Sequence, residues 1–257
     1  MRTFLGIDLG WYGKPTGLAS LAFDGDRFRL KSLARLEATA DILDWVRQEA
    51  DEGDSIAAID APTVIANELG IRPCERGLNA DFRRFHAGCH PANLSRPFAP
   101  YVLSFSKAIR DLGFQHGAQM EAKAAGRYQL EVHPHSATVS MFALNRIVKY
   151  KKGCRAEKAS ELSRLRDLCL THFPTIEPAL PLELPPIPKT GPTKPVEDQI
   201  DAVICAYIAA HYWYWGRAKN TVYGDNETGY IVVPNHSYAC TKADRTSRPA
   251  PSKVLLS

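Results

Sequence analysis

Four aspartates stand where burial is costly or where their spacing aligns them. Asp8 closes the apolar run Phe4-Leu5-Gly6-Ile7, and Asp60 closes Ile56-Ala57-Ala58-Ile59. An unpaired carboxylate inside such a run is costly to bury. Each has an ordinary explanation: Asp8 can be satisfied by a backbone turn at Gly10, and Asp60 before Ala61-Pro62 is good turn chemistry. Two strands of one sheet that both end in aspartate, however, set carboxylates side by side, and like charges there require a cation. Asp198 and Asp201 lie at the start of a helix with a spacing that puts both on one face. Alone, that pair could simply offset the helix dipole, with Asp198 as the cap. Glu131 sits in the short strand run Gln129–His133, with His133 following on the same face. Taken together, Asp8, Asp60, Asp198 and Asp201 point to one metal site, which Glu131 or His133 could join. His135 reads as an ordinary residue ending a strand.

The elements that must position these residues follow from pattern. Residues 3–9 and 55–60 are short, buried strands. Residues 17–24 and 28–36 form a hairpin around Asp24-Gly25-Asp26, so the first three strands are antiparallel neighbours. Between this hairpin and the fourth strand, Thr39 caps a helix carrying Ile42, Leu43, Trp45 and Val46, which ends near Gly53. Residues 63–127 form a helical insertion, with helices at Cys74–His86 and Tyr101–Leu112, the latter closed by Gly113. Residues 128–133 are a fifth strand, followed by helices at 136–144 and 155–171. The prolines at 174, 178, 181, 185, 186, 188, 192 and 195 make the next stretch a surface loop. Glu197–Trp215 is the strongest helix. Ile200, Val203, Ile204, Tyr207, Ile208 and His211 form one face, and Asp198, Asp201, Ala202, Cys205 and Ala209 form a face small enough to approach a sheet closely. Thr221–Val233 is a terminal hairpin. Residues 1–235 thus read as one domain, and 236–257 as a flexible tail.

Bulk properties limit the function classes. A chain of 257 residues holds one substantial core, and a net charge of +4 permits an anionic partner without demanding one. No apolar run approaches the roughly 20 residues of a membrane span, and Asp8 interrupts the N-terminal run too early for a signal peptide, so a soluble, cytoplasmic protein is expected. Cys74, Cys89, Cys154, Cys169, Cys205 and Cys240 form no CxxC pair and read as free thiols. His86-x-x-Cys89-His90 lacks a second ligand pair for zinc.

Gly6-Ile7-Asp8-Leu9-Gly10-Trp11, Ala58-Ile59-Asp60-Ala61-Pro62, Glu131-Val132-His133-Pro134 and Asp198-Gln199-Ile200-Asp201-Ala202 resemble, in order and from residue 3 to about 234, the DUF429 family, described as predicted RNase H-like nucleases. Arg72-Pro73-Cys74-Glu75-Arg76 is similar to that family's arginine-rich motif, where aspartate often replaces Glu75. The Asp-x-x-Asp-Ala helix also resembles the last motif of RuvC-type resolvases.

The resemblance implies an RNase H-like mixed sheet flanked by helices and a metal-dependent nuclease. Asp8 would bridge two Mg²⁺ or Mn²⁺ ions, Asp60 would hold one, and Asp201 with Asp198 the other. Two such ions roughly 4 Å apart activate a water and stabilise a leaving oxygen of a phosphodiester. Arg72 or Arg76 of the insertion is expected to face the Asp60 end and meet a substrate phosphate or an acidic neighbour, the alternative being ordinary surface arginines. Arg146, Lys149, Lys151, Lys152, Arg155 and Lys158 are candidate phosphate contacts to a nucleic-acid partner, or simply a solvated face. Two rivals stand beside this reading. One is a nucleic-acid- or protein-binding module that kept the fold and lost the chemistry. The other is an actin- or sugar-kinase-like phosphotransferase, which the absence of any Gly-Gly pair and the Ala-Pro after Asp60 disfavour. The oligomeric state is not legible.

Overall fold

In the computed structural model, which describes residues 1–11, 14–51 and 53–235, the apolar run after the N-terminus becomes the middle of the sheet. β1 (Arg2–Asp8) pairs antiparallel with β2 (Thr16–Phe23), which pairs antiparallel with β3 (Phe28–Leu36). α1 (Thr39–Ala50) then returns the chain to β4 (Ser55–Ile59), parallel to β1 on its other side. The insertion supplies α2 (Pro73–Phe82), α3 (Ala99–Asp111) and β5 (Gln115–His116). β6 (Arg127–Glu131) pairs parallel with β4 and with β5. The order is β3-β2-β1-β4-β6-β5, a mixed six-stranded sheet flanked by helices. Two helices and no strand were expected in the insertion. Its edge strand β5 escaped notice because two residues carry no readable alternation.

After β6 come α4 (Pro134–Met141), α5 (Arg155–His172), α6 (Lys194–Trp215), β7 (Asn220–Asp225) and β8 (Gly229–Pro234). α2 is shorter than expected: it passes into a 3₁₀ turn at Arg83–Phe85, and His86 then adopts a left-handed conformation. α4 and α6 both begin earlier than expected because Pro134 and Pro195 occupy their first turns, where a missing N–H costs nothing. β7 and β8 form the expected hairpin as a separate two-stranded sheet, tied to the main one by a bridge between Val132 and Val232.

Alternation along β1 divides the core. Leu5 and Ile7 pack with α1 and α3, whereas Phe4 faces α6. Both the apolar face and the small-residue face of α6 are buried, and with them almost every residue from Glu197 to Trp213. The proline-rich segment accounts for this. Phe173 stacks on Tyr207 with centroids 4.1 Å apart, Tyr207 donates to the Pro178 carbonyl at 2.9 Å, and Trp215 donates to Glu177 O at 2.7 Å. The segment therefore covers the outer side of α6. No helix among the described residues is long and apolar enough to cross a membrane. The tail expected at 236–257 lies outside the described residues.

Candidate active site

β1 and β4 run in register, with Ile7 beside Ile59, so Asp8 and Asp60 are the next neighbours at adjacent strand ends. The Asp60 N–H donates to the Ile7 carbonyl at 2.9 Å and extends the ladder by one step. Ile7 and Ile59 face the α1/α3 layer, so alternation turns both aspartates toward α6. Two glycines bring that helix down. A Cβ on Gly6 would stand 1.8 Å from Ala202 O, and one on Gly17 would stand 2.0 Å from Asp198 O. Glycine is required here because backbone meets backbone. These contacts seat the first turns of α6 directly over Asp8, which pairs with Gly17 across β1 and β2.

Asp201 is fully buried in this seat. Its Oδ1 accepts from the Tyr150 hydroxyl at 2.6 Å, and its Oδ2 lies 2.9 Å from Lys151 Nζ. About a third of the Lys151 side chain (34 %) stays open to solvent, while its ammonium turns inward. Burial lowers the pKa of that ammonium, but the charges of Asp201, Tyr150, Asp8 and Asp60 reverse this and hold it protonated. Asp8 is pushed well above the usual carboxylate range, first by burial and then by Asp201, with Lys151 opposing and Asp60 adding. Burial raises Asp60 to about 7; Lys151 opposes the rise, while Asp201 and Glu131 add to it. Asp8, Asp60, Asp201 and Lys151 therefore form one electrostatic unit.

Two expected members stand apart. Asp198 lies on the same helix, but its Oδ2 pairs with Arg35 Nε at 2.8 Å and its Oδ1 with Lys194 Nζ at 2.6 Å. Both oxygens of its carboxylate are thus paired with cations of the protein's own. Glu131 is in register with Ile59, one step short of Asp60, and so leaves the sheet on the opposite face. There Arg72 grips both its oxygens, at 2.6 and 2.9 Å, and the Thr63 N–H donates to it at 2.9 Å. Burial raises the Glu131 pKa, and Arg72 opposes the rise.

Arg72 does meet acidic neighbours, as expected of the insertion. Besides Glu131 it holds Glu75 at 2.8 Å and the Val64 carbonyl at 2.8 Å. Only 1 % of it is exposed, so it braces the insertion against the sheet and does not reach for phosphate. Arg76 is exposed on α2. His133 caps α4, its Nδ1 accepting from the Ser136 N–H at 3.4 Å. Burial first, then His135, Lys151 and His90, lower it to about 3, so the ring is neutral at physiological pH. Lys152 lines a cleft of about 730 Å³ with Arg146, Lys149 and Arg164, interleaved with Glu157 and Glu161. Tyr150 was not anticipated: it sits in an irregular connection, where no periodicity singles it out.

A hard divalent cation is the group these carboxylates suggest. Among the described residues, no three His, Cys, Asp or Glu side chains stand close enough to enclose one ion. The chemistry of the donor set still fits Mg²⁺ or Mn²⁺ in its usual mode, where one or two carboxylates are completed by water and substrate phosphate oxygens. Asp8 and Asp60 are the pair that would hold it, with Asp201 behind them.

The sequence model of the DUF429 family, described as a protein of unknown function, matches residues 6–228. No curated protein matches the chain. Among solved structures, T. thermophilus RuvC in complex with Holliday junction substrate is similar at 12% identity and a TM-score of 0.36, over 83% of this chain and 94% of that one. With the family's sequence model spanning most of its length, the chain belongs to the DUF429 family.

Proposed function

We propose that the protein is a divalent-metal-dependent nuclease that hydrolyses phosphodiester bonds of nucleic acid at Asp8, Asp60 and Asp201. The observation that carries this reading is the convergence of three carboxylates from β1, β4 and α6 at one set of strand ends, with raised proton affinities at Asp8 and Asp60. Such shifts concentrate at functional sites. When bound, Mg²⁺ or Mn²⁺ supplies Lewis-acid polarisation of a phosphoryl oxygen and acidifies a water. Asp8 and Asp60 orient the phosphate-facing side of the site. Asp201, anchored by Tyr150, fixes their electrostatic environment, and Lys151 balances charge that a phosphate would otherwise meet unscreened. Lys149, Lys152, Arg146 and Arg164 around the neighbouring cleft suit a polyanionic backbone.

One observation favours a second reading, a nucleic-acid-binding module without turnover: Lys151 already neutralises Asp201. A single experiment separates the two. End-labelled DNA and RNA in single-stranded, duplex and branched forms are incubated with wild type and Asp8→Asn, in Mg²⁺, Mn²⁺ and EDTA. The nuclease reading expects cleavage of at least one form that needs metal and drops at least 100-fold in Asp8→Asn. Binding of these polymers with no cleavage in any metal would leave the binding module. Cleavage by Asp8→Asn at the wild-type rate would remove the site assignment.

A further inference from the structure

Beside the acidic site, on the β6 side of Asp60, lies a cavity of about 380 Å³ that none of the roles above uses. Its walls include Trp11, Phe98, Pro62, His90 and His133, and Asp60 is shared with the acidic site. Trp11 is 39 % exposed, so its ring is open to a ligand from solvent. Its ring is held at right angles to Phe98, with centroids 4.5 Å apart. Part of the polar lining is the Arg72–Glu131–Glu75 network, in which Arg72 pairs with both carboxylates. Arg72 there is already paired, and three carboxylates (Asp60, Glu75 and Glu131) line the cavity, so it disfavours an anion. It suits a flat, uncharged, aromatic ligand at the low end of ordinary pocket sizes, about 300 Å³ and upward.

We infer that this cavity receives one unstacked nucleobase, stacked on Trp11, of the nucleotide whose phosphate lies at Asp8 and Asp60. The inference rests on the nucleic-acid reading of the acidic site and adds to it the mode of substrate recognition. A base withdrawn from its neighbours and laid on an aromatic ring is a common way for proteins to hold single-stranded or extruded nucleotides. Stacking of this kind is worth about 1–3 kcal/mol per base.

The test uses binding and not cleavage. Titration calorimetry on the full chain in Mg²⁺ compares the four ribonucleoside and four deoxyribonucleoside 5′-monophosphates with ribose 5-phosphate and deoxyribose 5-phosphate. At least one nucleotide should bind ten-fold or more tightly than its base-free sugar phosphate. Trp11→Ala should erase that preference and Trp11→Phe keep most of it, with thermal unfolding of both close to wild type. Equal binding of every nucleotide and its sugar phosphate, or a preference unchanged in Trp11→Ala, would overturn the inference. The two readings fail separately. A base preference lost in Trp11→Ala, from a protein that cleaves no polymer, would support the pocket and remove the nuclease. Metal-dependent cleavage with no base preference would do the reverse.

Discussion

Lys151 Nζ lies 2.9 Å from Asp201 Oδ2, so a cation of the protein's own stands against the innermost carboxylate of the acidic site. Lys151→Met keeps the stem and removes the charge. Orphaning a buried carboxylate costs about 3–5 kcal/mol, but the partly exposed Lys151 side chain and solvent screening reduce this to about 1–3 kcal/mol. Because a divalent ion would supply the missing charge, the deficit should narrow in millimolar Mn²⁺. Urea unfolding with and without Mn²⁺ measures both quantities. An equal deficit in the two conditions would contradict the idea that Lys151 and a metal serve the same carboxylates.

Arg72 is expected to matter through stability. It is buried with Glu75 and Glu131, and Arg72→Met leaves both carboxylates without their main partner. The expected loss is about 3–5 kcal/mol by denaturant unfolding. Glu131→Gln, which leaves Arg72 its pair with Glu75, should lose less. An Arg72→Met protein as stable as wild type would show that the network does not brace the insertion.

The seat of α6 gives a third prediction. Gly6→Ala pushes a methyl into Ala202 O, a backbone atom that cannot swing aside. Overpacking of this kind costs about 1–3 kcal/mol, and more where backbone must move. Because α6 carries Asp201, the variant should also lose its response to metal. Gly53→Ala, whose nearest contact would be 3.5 Å away, is the matched control. Differential scanning fluorimetry with Mn²⁺ reads both effects, and a Gly6→Ala protein behaving like the control would refute the close docking.

Neutral histidines set an acid limit. His133 is lowered to about 3 and His135 to about 4, chiefly by burial, while an unfolded histidine titrates near 6.5. Between those values the unfolded chain binds more protons than the folded one, so stability is full above about pH 6.5 and falls as pH drops toward 4. Asparagine at 133 can still cap α4. His133→Asn should therefore reduce the slope of stability against pH, near pH 5, by up to about 1.4 kcal/mol per unit. An unchanged slope would mean that His133 is protonated in the folded protein.

What the sequence made legible was whatever rests on short-range pattern. Alternation and the Asp24-Gly25 turn placed β1 to β4, and the apolar runs ending in Asp8 and Asp60 marked two strand ends that lie side by side. Spacing put Asp198 and Asp201 on one helix face, but it could not show that Arg35, distant in sequence on β3, claims Asp198. The face that Glu131 takes was hidden for a related reason. Its strand was recognised, but the one-step offset from Asp60 that sends it to the other face depends on register across β4 and β6. Gly6 and Gly17 were in plain view, and a glycine inside a buried strand does signal close backbone approach. Tyr150 and the wall made by Trp11 and Phe98 come from irregular or distant segments and leave no periodic trace.

The central claim is that Asp8 and Asp60 hold a divalent cation in front of Asp201. Anomalous diffraction from crystals soaked in Mn²⁺ tests it most directly. A manganese peak is expected within about 2.0–2.3 Å of carboxylate oxygens of Asp8 and Asp60, completed by water, with Asp198 still held by Arg35 and Lys194. A protein that binds no manganese at these strand ends, or that binds it through Asp198 or Glu131 instead, would contradict it.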